Sequence, residues 1–191
     1  MPNWCNTSFA IKCEDKSVLE KICNAIQDCE KQKPEQSSGS PSWIGNVFKK
    51  LGLETNECRT YWTDARIEND ILHFMEESAW SRSNAIVTLQ DYFLNLDEPV
   101  ELNILFVSEE LSEGIFETND EAGEVFTQRY CVSDDNGTEY YDTFEQLKAD
   151  MAELVGGGDF KTIQDMNLAL DEADEEVTDN AHIYEISFTY L

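Results

Sequence analysis

Two strand-like runs that meet at Asn69-Asp70 constrain this chain more than any other feature. Residues 59–67 are rich in β-branched and aromatic side chains, among them Thr60, Tyr61, Trp62, Thr63 and Ile67. Glu68-Asn69-Asp70 then supplies turn formers, and Ile71-Leu72-His73-Phe74-Met75 resumes the strand character. Such runs on both sides of an Asn-Asp pair predict a β-hairpin. The second strand continues through Glu77-Ser78-Ala79-Trp80-Ser81 to the edge of a helical pattern. A tryptophan at a strand end covers the edge of a core while its indole N–H still reaches a partner.

The flanking segments give the hairpin its setting. From Cys5 to Cys13 the residues alternate, with Cys5, Thr7, Phe9, Ile11 and Cys13 on one face, which predicts a strand buried on one side. Asp15 or Ser17 caps a helix whose stripe is Val18, Ile22 and Ile26, widened by Leu19, Cys23 and Cys29, and Pro34 ends it. Residues 34–42 are a loop by composition, and Trp43 to Gly52 reads as a short helix. After the hairpin, Ser83 or Asn84 opens a second long helix, with Ile86, Leu89 and Phe93 on its apolar side. Val100, Leu102, Ile104 and Phe106 alternate as a further strand. The order strand, helix, strand, strand, helix, strand is that of the split βαβ, or ferredoxin-like, arrangement. The expected class is α+β: a βαββαβ antiparallel sheet with two helices on one face, spanning residues 1–111, with residues 34–57 as an inserted loop carrying the short helix.

Residues 112–191 read as an acidic α/β elaboration packed on that core. Strands are expected at 115–118 and 125–132, and Asp135-Asn136-Gly137 is a hairpin turn. Thr143 and Gln146 bracket a helix start, and Gly156-Gly157-Gly158 stops that helix. A last helix is expected over 159–174, and Tyr184, Ile186, Phe188 and Tyr190 alternate as one final strand.

Three segments carry a resemblance. Met1-Pro2-Asn3-Trp4-Cys5-Asn6, Trp62-Thr63-Asp64-Ala65 and Glu77-Ser78-Ala79-Trp80-Ser81 resemble elements of the YubB/Api-type ferredoxin-like domain family of phage and plasmid proteins. Arg82 and Ser83 stand where that family carries two prolines, and the glycine and lysine of its middle motif are absent. The resemblance covers residues 1–118. It implies a ferredoxin-like fold and an origin on mobile elements, and it brings no established activity.

Charge narrows the partners. The formal net charge is −27, and residues 58–191 hold 32 acidic and 6 basic side chains against 8 and 7 in residues 1–57. Such a chain repels nucleic acid and anionic membranes and attracts a basic or nucleic-acid-binding protein. Neither a leader nor a membrane span is expected, so a cytoplasmic location follows. The six cysteines show no Cys-x-x-Cys pair and only two histidines accompany them, so reduced thiols and no metal or other cofactor are expected.

No nucleophile, base or phosphate loop stands out, which favours a non-enzymatic binding protein. Asp134-Asp135-Asn136-Gly137 fails as a calcium loop because Val132 and Thr143 occupy required ligand positions. Two candidate sites follow. Asp171, Glu172, Asp174, Glu175 and Glu176 form an acidic run able to meet a basic surface, by mimicry of DNA in one version. The alternative is a tryptophan-lined notch for a small ligand or an enzyme's substrate, with Asn3, Trp4, Asn6, Trp62, Asp64, Trp80 and Ser81 near one end of the sheet. A core plug competes with that notch, because large aromatics stabilise mainly by burial.

Overall fold

The computed structural model describes residues 3–32, 40–55, 59–173 and 180–191. Among them the chain is mixed α/β, with five α-helices and nine strands. It divides into two compact units, Met1–Glu110 with Tyr190–Leu191, and Leu111–Thr189.

The first unit is built on β1 (Trp4–Lys12), β2 (Thr60–Glu68), β3 (Ile71–Ala79) and β4 (Asn103–Glu110). Their order is β2-β3-β1-β4 and every pairing is antiparallel. The β2–β3 turn uses Asn69 and Asp70 with φ of 50° and 63°. Those left-handed values suit the right-handed twist of a tight hairpin, and Asn and Asp tolerate them better than most residues. Between Thr63 and Arg66 the register of β2 shifts, with Asp64 at φ 56° in the bulge.

One face of this sheet carries the core. Phe9, Ile11, Trp62, Leu72, Phe74, Ile104 and Phe106 pack there against α1 (Lys16–Glu30), α2 (Ile44–Leu51) and α3 (Ala85–Leu94). Asp15 caps α1 by accepting the Ser17 N–H at 2.9 Å. The expectation of two helices on this face needs extending. The inserted α2 buries Ile44, Val47, Phe48 and Leu51, and Phe48 meets Trp62 edge-on at 5.5 Å. An eight-residue helix with four buried apolar side chains is a part of the core, at about 1.5–3 kcal/mol for each large side chain buried.

The apolar alternation runs from Val100 to Phe106, whereas β4 begins at Asn103 and ends at Glu110. It continues past Phe106 because Ser108, fully buried, shares a 2.8 Å hydrogen bond with Thr7 on β1. Thr7, Thr60, Glu76, Ser78, Ser83 and Ser108 are all buried. They make a polar layer that takes over from the apolar core toward the β3–α3 end of the sheet.

The second unit contains β5 (Ile115–Thr118), β6 (Tyr130–Asp134), β7 (Gly137–Tyr141), α4 (Phe144–Leu154), α5 (Ile163–Glu172), β8 (His182–Glu185) and β9 (Ser187–Phe188). One small sheet runs β7-β6-β8, and β5 pairs with β9 in parallel. Thr143 and Gln146 form the expected capping box of α4, and Thr162 with Asp165 forms another on α5. Leu147, Met151, Met166, Leu170 and Ile183 are central to its core.

Two expectations fail in this unit. Residues 125–129 are not strand, because Asp120 captures the N–H groups of Glu124, Val125 and Phe126 at 2.8–2.9 Å. The final strand is also not continuous. Ile183 and Ile186 are buried while Phe188 and Tyr190 are exposed, and the chain passes from β8 to β9 between two different partners. The last helix, expected over 159–174, starts at Ile163 and ends at Glu172, inside the acidic run.

Candidate functional site

The β3–α3 connection forms a hollow in the first unit. Residues Ser78 to Asn84 wrap around a cavity of about 440 Å³ that Arg59 and Thr60 complete from the start of β2. Behind its Ser83 wall, and not lining it, lies a buried carboxylate. Glu76 is fully enclosed and accepts the Trp62 indole N–H at 2.7 Å, the Ser83 N–H at 2.8 Å and the Ser83 hydroxyl at 2.8 Å. Burial raises its pKa, and the donors from Trp62, Ser83 and Ser78 offset that only in part. Ser83 Oγ also accepts the Ala85 N–H at 3.2 Å, so the hydroxyl is committed in both directions to opening α3. This pair is a structural clamp on the connection.

Trp80 stands above the clamp. Its φ is 68°, a left-handed value costly for a bulky side chain. The neighbouring bonds hold it there: Trp80 N–H to the Asn3 carbonyl at 2.9 Å and Ser78 Oγ to the Ser81 carbonyl at 2.6 Å. The indole is 56% exposed, and the Arg59 guanidinium lies 5.3 Å from its centroid. Arg82 packs 4.2 Å over Phe106 and donates to the Tyr190 carbonyl at 3.4 Å.

The structure separates the tryptophans of the expected notch. Trp62 has no exposed surface and packs 4.8 Å from Phe74 inside the core, which is the plug role. Trp4 lies on the opposite sheet face with its ring 5.8 Å from Tyr61. Positions 4 and 80 do meet through the backbone, since Trp4 pairs with Ala79 and Asn3 accepts from Trp80. Asn3 and Ser81 lie beside the hollow, and Asn6 is half-buried on the outer face opposite Glu77. Asp64 is exposed in the β2 bulge, its N–H bonded to Glu30 Oε1 at 3.0 Å. His73 is half-buried on the outer face opposite Ala10, and burial together with the nearby Arg66 charge lowers its pKa. The other end of the sheet holds a wider cleft of about 830 Å³. Two of its carboxylates are already committed, Asp15 to capping α1 and Asp70 to Lys16 at 2.6 Å.

The second unit supplies a different surface. Residues 111–189 hold 21 acidic and 3 basic side chains. On it, Tyr140, Tyr141, Asp142, Gln146, Ala149 and Asp150 line a cavity of about 440 Å³. Tyr141 donates to Glu139 Oε2 at 3.0 Å. Burial, then Glu139 and Asp150, push its pKa far above the ordinary tyrosine range, so the phenol keeps its proton. The cavity joins aromatic side chains to the carboxyl groups of Asp142 and Asp150, a combination that suits an ammonium or guanidinium group. This cleft is not apparent in the sequence, where Tyr140-Tyr141 reads only as a strand after a turn. Of the acidic run, Asp171 and Glu172 are exposed at the end of α5, and Asp174, Glu175 and Glu176 lie outside the described residues.

Among the described residues no group of three or more His, Cys, Asp or Glu is placed to hold a metal ion, and no helix is long and apolar enough to cross a membrane. Cys5, Cys23, Cys29 and Cys131 are buried and Cys13 is half-buried, and Cys58 lies outside the described residues. Comparison with protein-family models, curated proteins and solved structures finds no match to this chain.

Proposed function

We propose that the chain is a non-enzymatic binding protein whose second unit engages a basic macromolecular partner. The observation that carries this reading is the tyrosine-and-aspartate cleft on the most acidic part of the chain. A lysine or arginine side chain of the partner enters the cleft, between Asp142 and Asp150 and against Tyr140. The surrounding excess of negative charge steers the encounter and sets its salt dependence. Mimicry of nucleic acid is one form this takes. Duplex DNA carries one charge per ~1.7 Å, so the excess of 18 negative charges over residues 111–189 equals that of about 30 Å of duplex.

For the first unit we infer a ferredoxin-like domain of the YubB/Api type, of mobile-element origin. The strand order β2-β3-β1-β4 with helical crossovers supports the fold, and the three sequence segments support the family.

The test is binding of a fluorescent arginine-rich peptide, measured by anisotropy as salt is raised. The Debye length falls from ~10 Å at 0.1 M to ~3 Å at 1 M, so affinity falls steeply over that range. Asp142→Asn with Asp150→Asn is expected to weaken binding by about tenfold, and Asp171→Asn with Glu172→Gln, an equal loss of charge, by no more than about twofold. Equal weakening by the two pairs would reduce the interaction to generic attraction and remove the cleft from it.

A further inference from the structure

We propose that the hollow beside Trp80 binds a small organic anion, a flat ring joined to a phosphate or carboxylate. Its lining is Arg59, Thr60, Ser78, Ala79, Trp80, Ser81, Arg82, Ser83 and Asn84, with two guanidiniums and no carboxylate. The other two cavities described above are walled by aspartates or glutamates. In a chain with 13 basic and 40 acidic side chains, mutual neutralisation would draw each arginine to a carboxylate. Among the described residues neither Arg59 nor Arg82 forms an ion pair, and Arg82 Nε is buried without a hydrogen-bond partner.

The hollow is also shaped in advance. Phe106 beneath and the Tyr190 carbonyl fix the Arg82 guanidinium, so little side-chain freedom remains to be lost on binding. Trp80 is held in a left-handed backbone conformation that keeps more than half of the indole in solvent, an arrangement that burial would not produce. Backbone strain of this kind concentrates at ligand clamps. The volume falls within the range of small-molecule sites.

The chemistry of the walls selects the ligand. An indole offers a face to a flat ring, and a guanidinium offers paired N–H donors to an oxyanion. The hydroxyl of Ser81 and the amide of Asn84 add neutral polar groups at the rim. A polyanion is disfavoured, because the first unit as a whole carries 19 acidic and 10 basic side chains. Glu76 lies behind Ser83 and faces inward, so its charge is separated from the hollow by the clamp it forms.

The experiment uses the full chain, with binding followed by calorimetry and by the Trp80 indole N–H resonance. The probes are AMP, benzoate, adenosine and inorganic phosphate, each to about 10 mM. Saturable binding of AMP or benzoate, with adenosine and phosphate each at least about tenfold weaker, is the expected result. AMP as the better ligand assigns phosphate, and benzoate assigns carboxylate. Arg59→Gln and, separately, Trp80→Leu are each expected to weaken that ligand by about fivefold or more. Arg66→Gln, an exposed arginine paired with Glu68 on β2, leaves affinity unchanged. Circular dichroism confirms that the variants fold, and Trp80→Phe serves if Trp80→Leu does not. Adenosine binding as tightly as AMP, no saturable binding of either anion, or affinity unaltered in Arg59→Gln would each overturn the proposal.

Discussion

Trp62 and Glu76 face each other across the β2–β3 ladder, and the indole N–H of one donates to the carboxylate of the other at 2.7 Å with both fully buried. A buried carboxylate usually needs a cation. Here it has neutral donors, and through Ser83 it ties the hairpin to the first turn of α3.

Removing that carboxylate leaves the Trp62 and Ser83 N–H groups without an acceptor. Glu76→Ala is expected to lower unfolding stability by about 2–4 kcal/mol, and Glu76→Gln by less, since one oxygen remains. The pH dependence has a definite sign. Burial raises the folded pKa, so the proton is held more tightly in the folded state. The stabilisation is full below the unfolded value of about 4.3 and is lost as pH rises through the folded one. Denaturant titrations across that window are expected to shift in favour of Glu76→Gln as pH rises. A difference independent of pH would show that Glu76 keeps an ordinary pKa.

Asp120 is expected to behave in the opposite way. Burial alone would raise its pKa, but the N–H groups of Phe126, Val125 and Glu124 and the Arg129 charge outweigh it, and the net shift is downward. Its stabilisation is therefore present above the unfolded value of about 3.9 and lost as pH falls through the folded one. Asp120→Asn replaces an acceptor with a donor facing other donors and is expected to cost about 1–3 kcal/mol near neutral pH. Arg129 donates to the carbonyls of Phe126, Gln128 and Asp120 at 2.9 Å, so hydrogen exchange over 120–129 should rise in the same variant. Unchanged exchange there would contradict the role given to Asp120.

The Thr7–Ser108 hydroxyl pair offers a cleaner measurement. Thr7→Val leaves Ser108 buried without that partner, and Ser108→Ala does the same to Thr7. Each single change is expected to cost about 1–3 kcal/mol, while the double variant loses less than the sum. Additive losses in the double-mutant cycle would mean that the two hydroxyls do not depend on each other.

How much of this was legible in the sequence varies with the kind of signal. Local signals were readable: the Asn69-Asp70 hairpin, the alternation of β1, the helical stripe from Val18 to Cys29, and the Thr143–Gln146 capping box. Each depends on residues close together in the chain and on a fixed period, 2 for strands and 3.6 for helices. The misreadings share a cause. Ser108 breaks the apolar alternation of β4 and is buried because Thr7, 101 residues away, supplies a partner. Residues 125–129 look like strand, but the Asp120 carboxylate takes the backbone donors that a strand would need. The even pattern from Tyr184 to Tyr190 is divided because two different strands claim its halves.

The candidate sites divide in the same way. By itself the sequence determined the net charge, its concentration beyond residue 57, and the presence of tryptophans near a strand end. Only the tertiary structure decided that Trp62 turns inward to Glu76 and Trp80 outward beside Arg59, and that Tyr140, Asp142 and Asp150 share a cleft. The physical reason is that charge and periodicity are properties of the chain, whereas burial and pairing of polar groups depend on which distant segments supply their partners.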